Sequence, residues 1–264
     1  MNTRALTALI IFAFSALSYA GPERLGDNKD MKQVAVPETC PINWTGFYVG
    51  GHGGYGFNGA DTSFIPLPSA QRFFDLAPTT LDPDSDGFFG GIQLGYNRQM
   101  GAFVVGLETD FSGSTMDGTK NAPLININGL PVLGGAHITA HQDTNWFGTV
   151  RGRVGFTPVC RLLLYGTGGL AYGDVHYSAN VDTRTDDPWQ YPASSTETKL
   201  GWTAGAGGEL ALTRRWSIKL EFLYYDLGDE TFIGNPIPPN PPFQVRYVAE
   251  TTAYTVNGGL NFKF

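Results

Sequence analysis

The stretch LGWTAGAGGELALTRRWSIKLEFLYYDL, residues 200–227, reads as two period-two runs joined by Thr213, Arg214 and Arg215. In the first run Leu200, Trp202, Ala204, Ala206, Leu210 and Leu212 share a face, with Thr203 and Glu209 opposite; in the second, Trp216, Ile218, Leu220, Phe222 and Tyr224 oppose Ser217, Lys219 and Glu221. Such alternation marks a strand with two unlike faces, and so short a connection makes the pair an antiparallel hairpin. Pairing Leu212 with Trp216 and counting outward brings Glu209 opposite Lys219. A soluble barrel would turn the apolar row inward and its charged row to water. Here the polar row of the first strand is thinned to glycine around Thr203 and Glu209, which fits a narrow interior. The apolar row then faces lipid, where closing the sheet satisfies every backbone polar group.

The same rhythm runs through the chain from Trp44 onward, in about eight stretches of roughly ten to fourteen residues. Thr45 to Phe57 sets Phe47, Val49, Tyr55 and Phe57 on one face and dissolves into glycine between them. Gly87 to Gln99 aligns Phe88, Ile92, Leu94 and Tyr96 against Gln93 and Asn97. AFVVGLETDFSG sets Phe103, Val105, Leu107 and Phe111 against Glu108, Asp110 and Ser112. NWFGTVRGRVGF sets Trp146, Val150, Val154 and Phe156 against Thr149, Arg151 and Arg153. RLLLYGTGGLAYG, residues 161–173, is apolar on both rows, so its facing stays open. The last stretch, TAYTVNGGLNFKF, sets Tyr254, Val256, Leu260, Phe262 and Phe264 against Thr255, Asn257, Asn261 and Lys263. Connections alternate strictly between a few residues and roughly twenty to thirty. The expected fold is therefore all-β: a closed antiparallel transmembrane β-barrel of about eight strands, an up-and-down meander with long outer loops and short periplasmic turns. An even strand count puts both termini on the periplasmic side, with the long loops extracellular.

Composition supports that class. Among 264 residues there are 35 Gly, 13% aromatic and only 16% charged residues, unlike an ordinary soluble enzyme. A mean hydropathy of −0.13 is too polar for a bundle of membrane helices. MNTRALTALIIFAFSALSYA places Arg4 before an apolar run from Ala5 to Leu17 and small residues at Ser18 and Ala20, the pattern of a secretory signal cut after Ala20. Residues 1–20 are thus expected to be a signal peptide, 21–43 a periplasmic N-terminal extension and 44–264 the barrel. A net charge of −7 excludes nucleic acid as an expected partner.

Six charged residues on the polar rows, Glu108, Arg151, Arg153, Glu209, Lys219 and Glu221, are expected to form a lumen network that plugs the barrel, because a buried charge needs a partner. Trp44, Trp146, Trp202, Trp216, Tyr224 and Tyr254 are expected in aromatic girdles at headgroup level. No G-x-S-x-G, phosphate loop or CxxC is present, and HITAH (137–141) would make a metal pair only if helical, so no catalytic site, metal or cofactor is expected. The loop NAPLININGLPVLGGAHITAH is rich in β-branched residues and is a place where strands could continue above the membrane. The two cysteines, Cys40 and Cys160, both fall at the periplasmic rim. In an oxidising compartment they are expected to pair and hold the extension across the barrel mouth, the alternative being a loose tail.

WTGFYVGGHGGYG, NWFGTVRGRVGF, LLYGTGGLAYG, WSIKLEFLYYDLG and VNGGLNFKF, in that order, resemble the outer-membrane immunogenic proteins of alphaproteobacteria, opacity-type, porin-like barrels related to the OmpA transmembrane domain. The resemblance covers about residues 44–264 and implies a surface-exposed barrel with a structural, adhesive or weak pore role. Leu260, Phe262 and Phe264 look like the carboxy-terminal signature read by the barrel-assembly machinery, a role compatible with the plainer one of an outward apolar face on a last strand. Expected partners are outer-membrane lipid, lipopolysaccharide, that machinery, and a host or surface ligand at the loops. Two functions remain open: envelope integrity with surface presentation, or a narrow porin-like channel for small solutes.

Overall fold

The computed structural model describes residues 42–58, 61–67, 77–132, 135–182, 190–237 and 244–264. The signal segment 1–20, and the extension except for Ile42 and Asn43, lie outside them, as does Cys40. The strands are β1 (Gly46–Asn58), β2 (Thr62–Pro66), β3 (Thr79–Leu81), β4 (Asp86–Met100), β5 (Phe103–Pro123), β6 (His137–Val159), β7 (Leu162–Asp182), β8 (Ala193–Ala211), β9 (Trp216–Gly234) and β10 (Val245–Lys263). β4 to β10 pair in chain order, and β1 pairs with both β4 and β10, so eight antiparallel strands close a ring. The β2–β3 hairpin stands outside the ring and pairs with β10 at Val245 to Ala249, beyond the end of β1.

Registers follow the alternation. Glu209 is the Cα partner of Lys219, and Leu212 N–H donates to the Trp216 carbonyl at 2.9 Å, closing the turn. The β4–β5 turn is set by Gly101, whose φ of 64° suits the tight reversal. Phe47, Phe88, Leu107, Val154, Leu200 and Leu220 are exposed on the outside. The ambiguous stretch at 161–173 resolves with Leu163, Tyr165 and Ala171 inside and Leu164 and Leu170 outside.

The strands are longer than expected: β5 to β10 run from 19 to 23 residues. At the long-loop end the alternation continues with its polarity exchanged. Along β9 the outward residues are Trp216, Ile218, Leu220 and Phe222, then Tyr224 and Asp226; the inward ones are Ser217, Lys219 and Glu221, then Leu223, Tyr225 and Leu227. Below the exchange the outside is apolar and the inside polar; above it the inside is a hydrophobic core and the outside carries polar residues such as Asp226. Much of what sequence suggested as long loops is therefore a stalk of paired strands. Bulges interrupt the ladder near the exchange at Gly113–Met116, Thr144–Trp146 and Glu250–Thr252, shifting which residues of β6 point inward from Arg151 and Phe147 to Gln142 and Ile138.

The interior is filled in layers. At the short-turn end Ile42 and Trp44 pack with Val104, Leu163, Tyr165 and Ala211. Next comes a charged layer. Above it Phe89, Phe147, Leu223 and Tyr225 form an apolar layer, and Phe64, Leu124, Ile138, Val181 and Tyr247 form another near the long-loop end. The stalk is not a closed ring. Pairing between β8 and β9 stops at Trp202–Asp226, and beyond it the two edges are joined by a Lys199–Glu230 ion pair at 3.2 Å and by reciprocal Gln190–Ile237 backbone bonds.

Candidate functional site: the charged layer of the lumen

Neighbouring strands deliver charge to one level because inward residues recur every second position. Glu108 and Asp110 come from β5, Arg151 and Arg153 from β6, Glu209 from β8, Lys219 and Glu221 from β9, and all are buried. Arg151 donates from Nη2 to Glu108 Oε1 at 2.8 Å and to Asp110 Oδ2 at 3.0 Å, while its Nη1 lies 3.1 Å from Glu221 Oε2 without hydrogen-bond geometry. Arg153 donates to Glu209 Oε2 at 2.8 Å and to the Tyr48 hydroxyl at 3.0 Å, with Glu108 at 3.5 Å. Lys219 donates to Glu108 Oε1 at 2.9 Å and lies 3.5 Å from Glu221. All six residues named from the sequence thus meet in one network. The pairings differ from the register: Glu209 and Lys219 face each other on the ladder, yet Glu209 takes Arg153 from across β7, and Lys219 takes Glu108.

Neutral groups complete the layer, and the sequence reading omitted them from the site. Tyr48 donates to Glu108 Oε2 at 2.6 Å, Tyr165 to Glu221 Oε1 at 3.1 Å, and Ser217 and Asn261 to Glu209 Oε1 at 2.5 and 3.0 Å. The Arg153 guanidinium lies 3.9 Å from the Tyr165 ring centroid, close enough for a cation–π contact. Asp110 belongs as well, taking a hydrogen bond from Thr149 besides that from Arg151. Inward glycines make the room: a methyl on Gly95 would overlap the Tyr48 ring, and one on Gly207 would strike the Tyr165 hydroxyl. A polar void bounded by His52, Gln93, Asp110 and Asn257 has room for about one water molecule.

The remaining sequence-named residues fall in three places. Trp146, Tyr224, Trp202 and Tyr254 lie on the outside near the polarity exchange, with Trp202–Tyr224 and Tyr224–Tyr254 centroids 5.2 and 5.1 Å apart. Trp216 lies at the opposite end against Phe262 at 5.0 Å, and Phe262 contacts Phe264; Leu260, on the same row, is exposed. Trp44 departs from the girdle expected for it. It is only 5% exposed and enters the barrel mouth, because its backbone N–H is fixed by Gln99 Oε1 at 2.9 Å and its ring completes the apolar layer of Leu163 and Tyr165. Cys160 sits in the β6–β7 turn at this end. HITAH is extended within β6, so His137 and His141 stand about 13 Å apart rather than at helical spacing.

A ring of eight antiparallel strands with an apolar outside and a charged inside is the geometry of an outer-membrane barrel. Residues 33–264 match the family described as outer membrane protein beta-barrel domain. The chain belongs to that family. It is 36% identical over 238 residues to the 31 kDa outer-membrane immunogenic protein of Brucella melitensis, covering 89% of this chain and 90% of that one. It is 32% identical over 184 residues to the 22 kDa outer membrane protein of Rhizobium leguminosarum, covering 70% of this chain and 64% of the relative. Among solved structures, the outer membrane protease OmpT from Escherichia coli aligns over 82% of this chain and 97% of its own, at 10% identity and a TM-score of 0.48. The resemblance to alphaproteobacterial immunogenic outer-membrane proteins is thereby met, and the chain is an outer-membrane β-barrel.

Proposed function

We propose that the protein is a sealed barrel which reinforces the outer membrane and presents its stalk and loops at the cell surface, with both termini periplasmic. The observation that carries this reading is the filled lumen: an apolar layer at Ile42 and Trp44, the charged layer, and two further apolar layers stacked toward the loops. Each charged side chain is held by several partners, so ions would have to break a buried network to pass. The channel alternative gains no support from this packing. In the same reading Leu260, Phe262 and Phe264 present the outward row that the assembly machinery reads, lipid and lipopolysaccharide surround the belt, and Cys160 pairs with Cys40 to tie the extension to the mouth. Planar-bilayer recording of the refolded protein tests the seal. The expected trace has no steady conductance; a large stable conductance in the wild type would refute the sealed barrel.

A further inference from the structure

The stalk carries a feature that neither sealing nor anchoring uses. On its outer wall, where β8 begins beside β7 and β6, lies a groove of about 340 Å³ bordered by Thr139, Ser178, Asn180, Ser194, Pro192 and Ala193. That volume falls within the range of small-ligand sites, ~300–1,000 Å³. Its position follows from the register: Thr139 is the partner of Asn180, and Ser178 of Ser194, so their outward side chains lie side by side. No lining residue is charged, although aspartate and glutamate are frequent elsewhere on the stalk, at Asp117, Asp143, Asp174, Glu197 and Glu250.

Three hydroxyls and one amide thus line the groove with Ala179, Pro192 and Ala193, the Thr139 hydroxyl already donating to Asn121 Oδ1 and free only to accept. The Asn180 Oδ1 atom is buried and has no hydrogen-bond partner. Closed to the groove as it stands, that oxygen gains a partner when the amide turns toward a ligand hydroxyl, and an unmatched buried polar atom is costly. Hydroxyl side chains both donate and accept, which matches the adjacent hydroxyls of a sugar ring, while the prolyl and alanyl carbons suit its C–H face. No lysine or arginine lines the groove to hold a phosphate or sulfate, and the ionisable group beside it is His141, the ladder partner of Ser178.

We propose that this groove is a binding site for a neutral, hydroxyl-rich oligosaccharide. It rests on the reading above only in that the long-loop end lies outside the cell. Its height, beyond Tyr172 and Trp202 on the same strands, sets it level with sugars that project from the outer leaflet, though a soluble polysaccharide would offer the same chemistry.

The full-length refolded protein in detergent micelles is titrated calorimetrically with two probes: a neutral outer-chain oligosaccharide released from the bacterium's own lipopolysaccharide and freed of its acidic core, and an uncharged glucan oligosaccharide. The comparison variant is Ser178→Val with Asn180→Leu, and Asn180→Ser restores a hydroxyl. Far-ultraviolet circular dichroism and heat-modifiable gel mobility establish that each variant is folded. Binding of either probe that weakens about tenfold or more in the double variant, as loss of two buried hydrogen bonds requires, and partly returns in Asn180→Ser, supports the site; the probe that binds identifies the source. Binding of neither probe, or equal binding by wild type and double variant, overturns it. Because the titration needs no bilayer, a conducting barrel would refute the seal and leave this result standing. Tags that place the stalk in the periplasm would instead remove the outer-leaflet source.

Discussion

Replacing Arg153 with methionine tests whether the charged layer works as one unit. The substitution keeps a long apolar side chain but removes the donor to Glu209 at 2.8 Å, the donor to Tyr48 at 3.0 Å and the cation over Tyr165. It leaves Glu108, Asp110, Glu209 and Glu221 facing only Arg151 and Lys219, in a layer where Lys219 is 4% and Arg151 1% exposed. Stranding a buried charge in this way costs about 3–5 kcal/mol. Glu209→Gln is milder, on the order of 1–2 kcal/mol, because the amide still accepts from Arg153 or Ser217 and only the charge is lost. The double variant removes the stranded carboxylate, so its cost should fall short of the summed singles by at least about 1 kcal/mol. Equilibrium urea unfolding in phospholipid vesicles, followed by tryptophan fluorescence, gives all three values at one pH and salt concentration, with an unchanged m-value as the check that the same surface unfolds. Additivity within about 0.5 kcal/mol, or an Arg153→Met cost below about 1 kcal/mol, would refute the coupled plug and reduce the layer to independent pairs.

Other outcomes follow from the same geometry. Trp44→Ala should destabilise the barrel by about 3–5 kcal/mol, as loss of a packed aromatic does, whereas Trp202→Leu on the lipid side should cost far less; equal losses in the same unfolding assay would place Trp44 outside the mouth. Epitope tags within residues 124–136 or 235–244 should be labelled on intact cells and tags at Met100 or Arg214 should not, so labelling of the short turns would reverse the orientation. Protein extracted with a thiol-blocking reagent should yield a Cys40–Cys160 cross-linked peptide by mass spectrometry; recovery of both as alkylated thiols would leave the extension a loose tail. Phe264→Ser should lower the amount of folded barrel in outer-membrane fractions with little effect on refolding in detergent, and unchanged amounts would remove Phe264 from assembly.

The membrane-spanning part was legible because each strand there carries its own contrast. Trp216, Ile218 and Leu220 against Ser217, Lys219 and Glu221 declare the two faces without any neighbour, and a short turn then fixes the register of the next strand. The six charges could be assigned to the lumen on that basis, but not their partners. A ladder tells which residues are adjacent, whereas Arg153 reaches Glu209 across an intervening strand, a distance set by barrel radius. Tyr48 and Tyr165 escaped notice because a tyrosine on a membrane strand fits a girdle as well as an interior, and only the glycines opposite them show which. Trp44 misled for the same reason. RLLLYGTGGLAYG resisted a facing because Leu163 and Tyr165 belong to the apolar layer that Trp44 closes, so no contrast exists between its rows. The stalk was partly foreshadowed by the β-branched run before His141. Its extent was hidden because the alternation there has opposite polarity, with Ile138 and Val181 inside and His141 and Ser178 outside.

The unpaired edges of β8 and β9 above Trp202 and Asp226 bear on how such a protein can vary. In the closed ring below, strand number, tilt and stagger are locked together, so an inserted or deleted residue in one strand disturbs all of them. Above the seam no such closure holds among the described residues, and there the two edges are joined by the Lys199–Glu230 ion pair and the Gln190–Ile237 backbone bonds. The crown can therefore widen, lose a strand turn or accept a new hairpin, as β2 and β3 already illustrate, without changing the circumference of the membrane cylinder. In the proposed orientation, sequence change driven by whatever meets the cell surface would fall on a part whose geometry the membrane cylinder does not depend on.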